Sequence, residues 1–271
     1  MKALALSAIG LLGVALPRPE RSIVFHSPVS TLTVLPGEKI SLEAMDRRWS
    51  WTAPSMPGLY PIRVVSTDQR DSITIQAFVL VPYSQLKGEY LNGYQIGRYP
   101  TRPLRGLAIY EPPTGFIEVT RANENTFVSP HFRLKQFICK QSGTYPKYVV
   151  LNEALLQKLE YLLARVNAAG YPVTTFHVMS GYRTPAYNRS LGNVLYSRHT
   201  FGSAADLFID ENHDGRMDDL NGDGRSDAAD GALLHRLFED AGVEGGMGEY
   251  PPTHAHGPFV HVDVRDRTAR W

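Results

Sequence analysis

Residues 197–210 read SRHTFGSAADLFID, and the architecture of the C-terminal half turns on them. His199 and Asp206 stand seven positions apart, separated mainly by Gly202, Ser203, Ala204 and Ala205, and Leu207-Phe208-Ile209 follows at once. That apolar run predicts a strand, DLFI, opened by Asp206. The small residues before it predict a tight return in which Gly202 takes an unusual φ and short side chains let the polar groups close on one point. A partner comes from FVHVDV (259–264). Side chains alternate along a strand, so His261 and Asp263 share one face while Val260, Val262 and Val264 share the other. If the two strands are neighbours, His199, Asp206 and His261 converge. Two imidazoles and one carboxylate, with the fourth position left to water, form the donor set of a catalytic zinc site, with ligands at about 2.0–2.2 Å.

The chain has 271 residues, 43% hydrophobic and 20% charged, with a net charge of +1. This length allows one large domain or two modest ones. The near-neutral balance gives no field that points to nucleic acid or an anionic membrane. Lys2 followed by an apolar run to Leu16 and then Pro17 reads as a secretory signal, with an uncleaved N-terminal anchor as the alternative, over residues 1–21, and Gly13-Val14-Ala15 is the cleavage candidate. The run is shorter than the roughly 20 residues that a spanning helix needs, so the mature protein is expected to be exported, with no membrane span. Cys139 is the sole cysteine, which excludes an internal disulfide; its bulky neighbours mark it as a core thiol.

Residues 22–82 hold five β-branched stretches broken by turn residues, which predicts a small antiparallel sandwich. Trp49 and Trp51 alternate with Ser50 as a half-buried strand does. Residues 83–125 are rich in Tyr, Gly and Pro and read as a linker that packs on something, because Tyr90, Tyr94, Tyr99 and Tyr110 are too aromatic for a free tether. From 126 to 271 the texture becomes α+β, with helices at 151–170 and 231–242 and strands at 173–180 and 259–264.

SGYRTPAYN (180–188), SRHTFGSAAD (197–206), GGMGEYPP, FVHVDV and the terminal Trp271, together with SPHFRLKQF (129–137), closely resemble the M15 metallopeptidases. This is the family of D-Ala-D-Ala carboxypeptidases and murein endopeptidases, and the chain is similar to its exported murein endopeptidases that end in His-Val-Asp. The resemblance covers about 126–271. It implies an α+β zinc-peptidase domain with a central antiparallel sheet, preceded here by the all-β module. It also implies zinc on His199, Asp206 and His261, with Arg183 contacting a substrate carboxylate or the developing oxyanion. A guanidinium fork suits either group. Ser180, Tyr182 and Asn188 are expected to shape that loop, Ser180 and Tyr182 on the substrate side, and Ser197 to orient a ligand.

The pattern departs from the family at the general base. Positions two and three before the last ligand hold Phe259 and Pro258, which cannot move a proton. Asp263, His254, His256 and Glu249 remain open, with His256 and Asp263 favoured. DENHDGRMD (210–218) and DLNGDGRSD (219–227) form a near repeat with calcium-loop spacing. Its expected structural calcium ligands are Asp210, Asn212, Asp214, Asp219, Asn221, Asp223, Asp227 and Asp230, within an insertion at 210–230. These readings favour an exported, periplasmic zinc peptidase, carboxypeptidase or endopeptidase, acting on peptidoglycan peptides. The alternatives are a non-catalytic cell-wall binding protein and, last, a calcium-dependent adhesion module.

Overall fold

The computed structural model describes residues 21–25 and 30–271, and the expected secretory leader lies outside them apart from Arg21. The N-terminal strands are β1 (Arg21–Phe25), β2 (Thr31–Val34), β3 (Lys39–Ala44), β4 (Arg47–Thr52), β5 (Gly58–Val65) and β6 (Ser72–Val79). They form two three-stranded sheets, ordered β1-β3-β4 and β2-β6-β5. The antiparallel expectation holds for the β3–β4 and β5–β6 hairpins, whereas β1–β3 and β2–β6 are parallel. The reason is topological. The chain leaves the first sheet for the second at β2 and returns at β3, so β3 runs beside β1 in the same direction.

Alternation decides what this pair of sheets encloses. Ile40, Leu42 and Ala44 from β3 meet Leu32, Val34, Ile75, Ala77 and Val79 in one buried cluster. Trp51 and Trp49 sit opposite Ile40 and Leu42 in register, half-buried against the same cluster. Cross-strand aromatic and aliphatic neighbours of this kind are the stabilising unit of a sheet.

Residues 83–125 are no tether. Short strands β7 (Val81–Pro82), β8 (Tyr90–Leu91), β9 (Tyr94–Gln95), β10 (Gly115–Val119) and β11 (Lys147–Val149) give a β8–β9 hairpin and a sheet ordered β11-β10-β7. Tyr94, Tyr99 and Tyr110 are buried with Phe116, Tyr148 and Phe201. Tyr90 is 50% exposed and stays outside that cluster. The Tyr99 hydroxyl donates to the Thr200 carbonyl at 2.8 Å and meets the Tyr182 hydroxyl at 2.9 Å. The aromatic segment thus braces both motifs that carry polar site residues.

The remaining elements are α1 (Glu153–Ala168), β12 (His177–Ser180), α2 (Pro185–Ser190), β13 (Ala204–Phe208), α3 (Ala228–Asp240), β14 (Gly246–Tyr250), β15 (Phe259–Asp263) and β16 (Ala269–Arg270). Five of them make one sheet, ordered β12-β13-β15-β14-β16, antiparallel except for the last pair. In α1, Leu155, Leu156, Leu159, Leu162, Leu163 and Val166 are all buried, as a 3.6-residue stripe requires. The Asn152 side chain caps it by accepting from the Ala154 amide at 2.9 Å. Its apolar face, with Leu234 and Phe238 of α3, packs on Leu207, Val260 and Val262 of the sheet. Two strands differ in extent from the sequence reading. β13 opens at Ala204 rather than Asp206, and the strand expected over 173–180 begins at His177.

One charge on the buried face of α1 ties helix to sheet. Lys158, almost fully buried, donates to the carbonyls of Glu244 at 2.8 Å, Asp263 at 2.9 Å and Gly246 at 3.4 Å. Burial pulls its ammonium down to about 8, with the nearby Asp263 charge opposing. Those carbonyls flank the last ligand strand, and buried acceptors left without donors are costly. Lys158→Met keeps the apolar stem and removes the donors. It is expected to lower unfolding stability by about 2 kcal/mol, read as a fall in the urea midpoint at unchanged slope.

Candidate metal centre

Register builds this site. Ser180, Asp206, His261 and Gly248 are successive cross-strand partners on β12, β13, β15 and β14. They form one rung across the sheet, and partners on a rung share a face. His199 arrives from the side, in the 3₁₀ turn Arg198–Phe201 that ends on Gly202 at φ +64°. A side chain at Gly202 would run into the Val150 carbonyl and, at 2.8 Å, the Leu151 nitrogen. The Gly202 carbonyl also accepts from Asn152 at 3.0 Å, fastening the turn to the start of α1. Ala204 and Ala205 lie inside β13 and are fully buried. The small residues therefore serve close packing of the turn and strand, a correction to the view that they open space between ligands.

The His199, Asp206 and His261 side chains do converge. Asp206 Oδ1 lies 2.7 Å from His261 Nδ1 and 3.2 Å from His199 Nε2, and those two nitrogens are 3.3 Å apart. His199 Nδ1 donates to the Gly181 carbonyl at 2.7 Å, which leaves Nε2 bare toward Asp206. Burial lowers the His199 pKa against the pull of Asp206, so its imidazole is kept neutral. For Asp206, burial pushes the carboxyl up, but His199 and His261 outweigh it and hold the group far below the usual carboxylate range. His261 is pushed down by burial and, more strongly, raised by hydrogen bonds to Asp206 and Asp263.

Arg183 is turned inward. Its Nε donates to Ser180 Oγ at 2.7 Å and its terminal nitrogen to Asp206 Oδ2. The fork expected to meet substrate is thus engaged in holding the ligand carboxylate, and Ser180 orients the fork. Tyr182, expected on the substrate side, is fully buried against Tyr99 and touches no cleft. Asn188 shapes its loop through the Val194 carbonyl at 2.9 Å. Ser197 contacts Thr200 through its own carbonyl and orients no ligand.

Of the four candidate bases, only Asp263 touches the three-residue group, at 3.4 Å from His261 Nε2. It is fully buried and accepts from Gly246 N at 3.0 Å, Arg265 N at 3.0 Å and the Arg265 guanidinium at 2.6–3.1 Å. Burial raises its carboxyl, and the Arg265 and His261 bonds more than reverse that, far below the usual range. A carboxylate so committed orients His261 and is unsuited to take a proton, which corrects the expectation for Asp263. His256 is half-buried, bonded to its neighbour's carbonyl at 2.8 Å and edge-on to Phe259. His254 is exposed, and Glu249 pairs with Val260, on the face opposite His261.

The sequence reading missed Arg265, although an Arg two residues beyond Asp263 was a signal for a paired carboxylate. It also gave Trp271 no contact. The indole stands 5.5 Å from the His261 ring, in the space left by Gly248, and donates to the Tyr250 hydroxyl at 2.9 Å. Cys139 is buried, as expected of a core thiol.

The acidic repeat is organised differently from the triad. Asp210 accepts from His177 Nδ1 at 3.0 Å and from the Asp214 and Gly215 amides; Asn212 and Asn221 accept from Asp214 and Asp223. Asp219 and Asp223 likewise accept loop amides. Asp227 caps α3, and buried Asp230 accepts from Leu220, Asn221 and Asp227. Among the described residues, only His199, Asp206 and His261 bring three His, Cys, Asp or Glu ligand atoms within 4.8 Å of one another. The expected calcium ligands are not gathered in that way.

Residues 130–236 match the family model described as Peptidase M15, which supports an M15 peptidase. The match contains Arg183, His199 and Asp206; His261 lies beyond it and is brought to them by β15. No curated protein matches the chain. The donor set fits the zinc that this family uses: His199 Nε2, His261 Nδ1 and one Asp206 carboxylate oxygen face one another.

Gly202 is the backbone hinge of the arrangement. Gly202→Ala is expected to cost at least about 2 kcal/mol, because it combines a left-handed φ with overlap on Val150 and Leu151. Chemical denaturation checks the loss, and Gly170→Ala, with a positive φ in open space, serves as the control with the smaller cost.

Proposed function

We propose that this chain is an exported zinc peptidase that hydrolyses a peptide bond in peptidoglycan stem peptides or their cross-links. The observation that carries the reading is the convergence of His199 Nε2, Asp206 Oδ1 and His261 Nδ1 in a chain with an M15 match. Zinc held there would polarise the scissile carbonyl and make water acidic enough to attack near neutral pH. Arg183 holds Asp206 in place through Oδ2. The Gly181 carbonyl fixes the His199 tautomer, and the Asp263–Arg265 pair steadies the far side of His261. These contacts hold the donors in place before substrate arrives, and preorganisation is where such sites gain their rate.

Export rests on the sequence of residues 1–21. Among the described residues no helix is long and apolar enough to cross a membrane. The peptidoglycan substrate rests on the resemblance of SGYRTP, SRHTFGSAAD and FVHVDV to the murein peptidases. A second reading, a wall-binding protein without turnover, is favoured by one observation. Asp263, which alone among the base candidates touches the triad, is held by Arg265.

The metal content of the purified chain and digestion of cross-linked muropeptides separate these readings. One zinc per chain, absent from His261→Ala, is expected, together with cleavage that falls at least a thousandfold in the variant, roughly the loss of a catalytic group worth about 4 kcal/mol. Zinc without cleavage would favour the binding protein. No zinc after reconstitution would remove the peptidase mechanism altogether.

A further inference from the structure

The chain that follows the 3₁₀ turn Leu134–Phe137 runs along the Arg183 loop. Tyr182 N donates to the Phe137 carbonyl at 3.1 Å, and Thr184 N to Cys139 Sγ at 3.5 Å. Two residues on, Gln141 accepts from the Thr184 hydroxyl and donates to the Gln95 carbonyl at 2.8 Å. Lys140 is set between these ties and is exposed. It borders a cavity of about 970 Å³ whose other lining residues include Gln95, Gln141, Tyr187 and Arg189.

The chemistry of that lining is one-sided. It contains two cations, several amides and hydroxyls, and no Asp or Glu. Arg189 is shared with Glu89 outside the cavity, at 3.4 Å. Arg183 is committed to Asp206 and Ser180. The Lys140 ammonium has no ion-pair partner among the described residues. Burial and Arg183 pull its pKa below the usual lysine value while Asp206 pushes back, so Lys140 and the ligand carboxylate share one electrostatic neighbourhood.

We propose that this cavity is a substrate subsite for a carboxylate-bearing stretch of peptide, and that Lys140 selects the carboxylate. The inference rests on the peptidase reading for the identity of the ligand and on the lining for its charge. The volume lies in the range of sites that enclose a small ligand, and it suits a short peptide. The amides and hydroxyls would bond its backbone. A free cation facing a cavity without carboxylates would meet its terminal or side-chain anion, with no competing partner to displace.

The test uses the zinc-loaded full chain and diacetyl-Lys-D-Ala-D-Ala, as the free acid and as the C-terminal amide. Binding is followed by NMR titration, and cleavage by mass spectrometry of the same samples. The wild type is expected to prefer the acid by about two- to fivefold, the scale of one partly exposed ion pair. Lys140→Met is expected to abolish the preference and Lys140→Arg to keep it, with one zinc per chain in each. Equal binding of the two peptides, binding of neither, or a preference that survives Lys140→Met overturns the inference. A preference that depends on Lys140, with no cleavage in any sample, would sink the peptidase reading and leave the subsite standing.

Discussion

Asp206 divides its two oxygens between opposite tasks. Oδ1 faces both ligand imidazoles, and Oδ2 receives the Arg183 guanidinium. The carboxylate is buried, and an unpaired buried charge costs several kcal/mol, so the arrangement persists only because each oxygen is answered. Much around it follows from that need. Arg183 must be held, and Ser180 on the neighbouring strand holds it. His199 must present Nε2, and the Gly181 carbonyl takes its other nitrogen. All three supports come from residues 180–183, which explains why SGYR and the His-Asp segment belong to one device.

The second tier repeats the logic on the far side of His261. Asp263 is also buried, and Arg265 and two backbone amides satisfy it, while Lys158 satisfies the carbonyl of the same residue from α1. A buried carboxylate therefore stands on each side of the ligand imidazole, and each has an arginine behind it. The sheet fixes the spacing, since Asp206 and His261 are cross-strand partners and Asp263 lies two residues further along the same face. Precision of this kind comes from strands more readily than from loops.

What could be read in the sequence is what strand geometry controls. The period of two placed His261 and Asp263 together, and the stripe in 151–170 named the buried face of α1 residue by residue. Those two relations are local, whereas the three metal-ligand candidates meet only because β13 pairs with β15. Long-range choices were not legible. Parallel pairing of β1 with β3 depends on which sheet the chain enters next, and no spacing encodes that. The direction of Arg183 was hidden for a similar reason: a guanidinium suits a substrate carboxylate as well as a protein one, and only the position of Asp206 Oδ2 decides. Tyr99 and Tyr110 showed by composition that their segment packs, but not that Phe201 and Thr200 receive them. In the acidic repeat, side chains spaced for an ion are also spaced to accept amides two to five residues on, so the pattern alone does not separate the two uses.

The same accounting bears on what the cleft presents to a ligand. Asp206 is balanced by Arg183, and Asp263 by Arg265, so neither carboxylate leaves net negative charge at the opening. With zinc bound, the centre would carry excess positive charge, and Lys140 would extend that field along the adjoining cavity. A centre so charged stabilises an oxyanion and attracts carboxylates, while it disfavours a base that relies on a raised carboxylate pKa. In this frame the absence of a proton acceptor at 258–259 and the commitment of Asp263 to Arg265 are consequences of one design. Both carboxylates are used to hold imidazoles, and each is answered by a guanidinium.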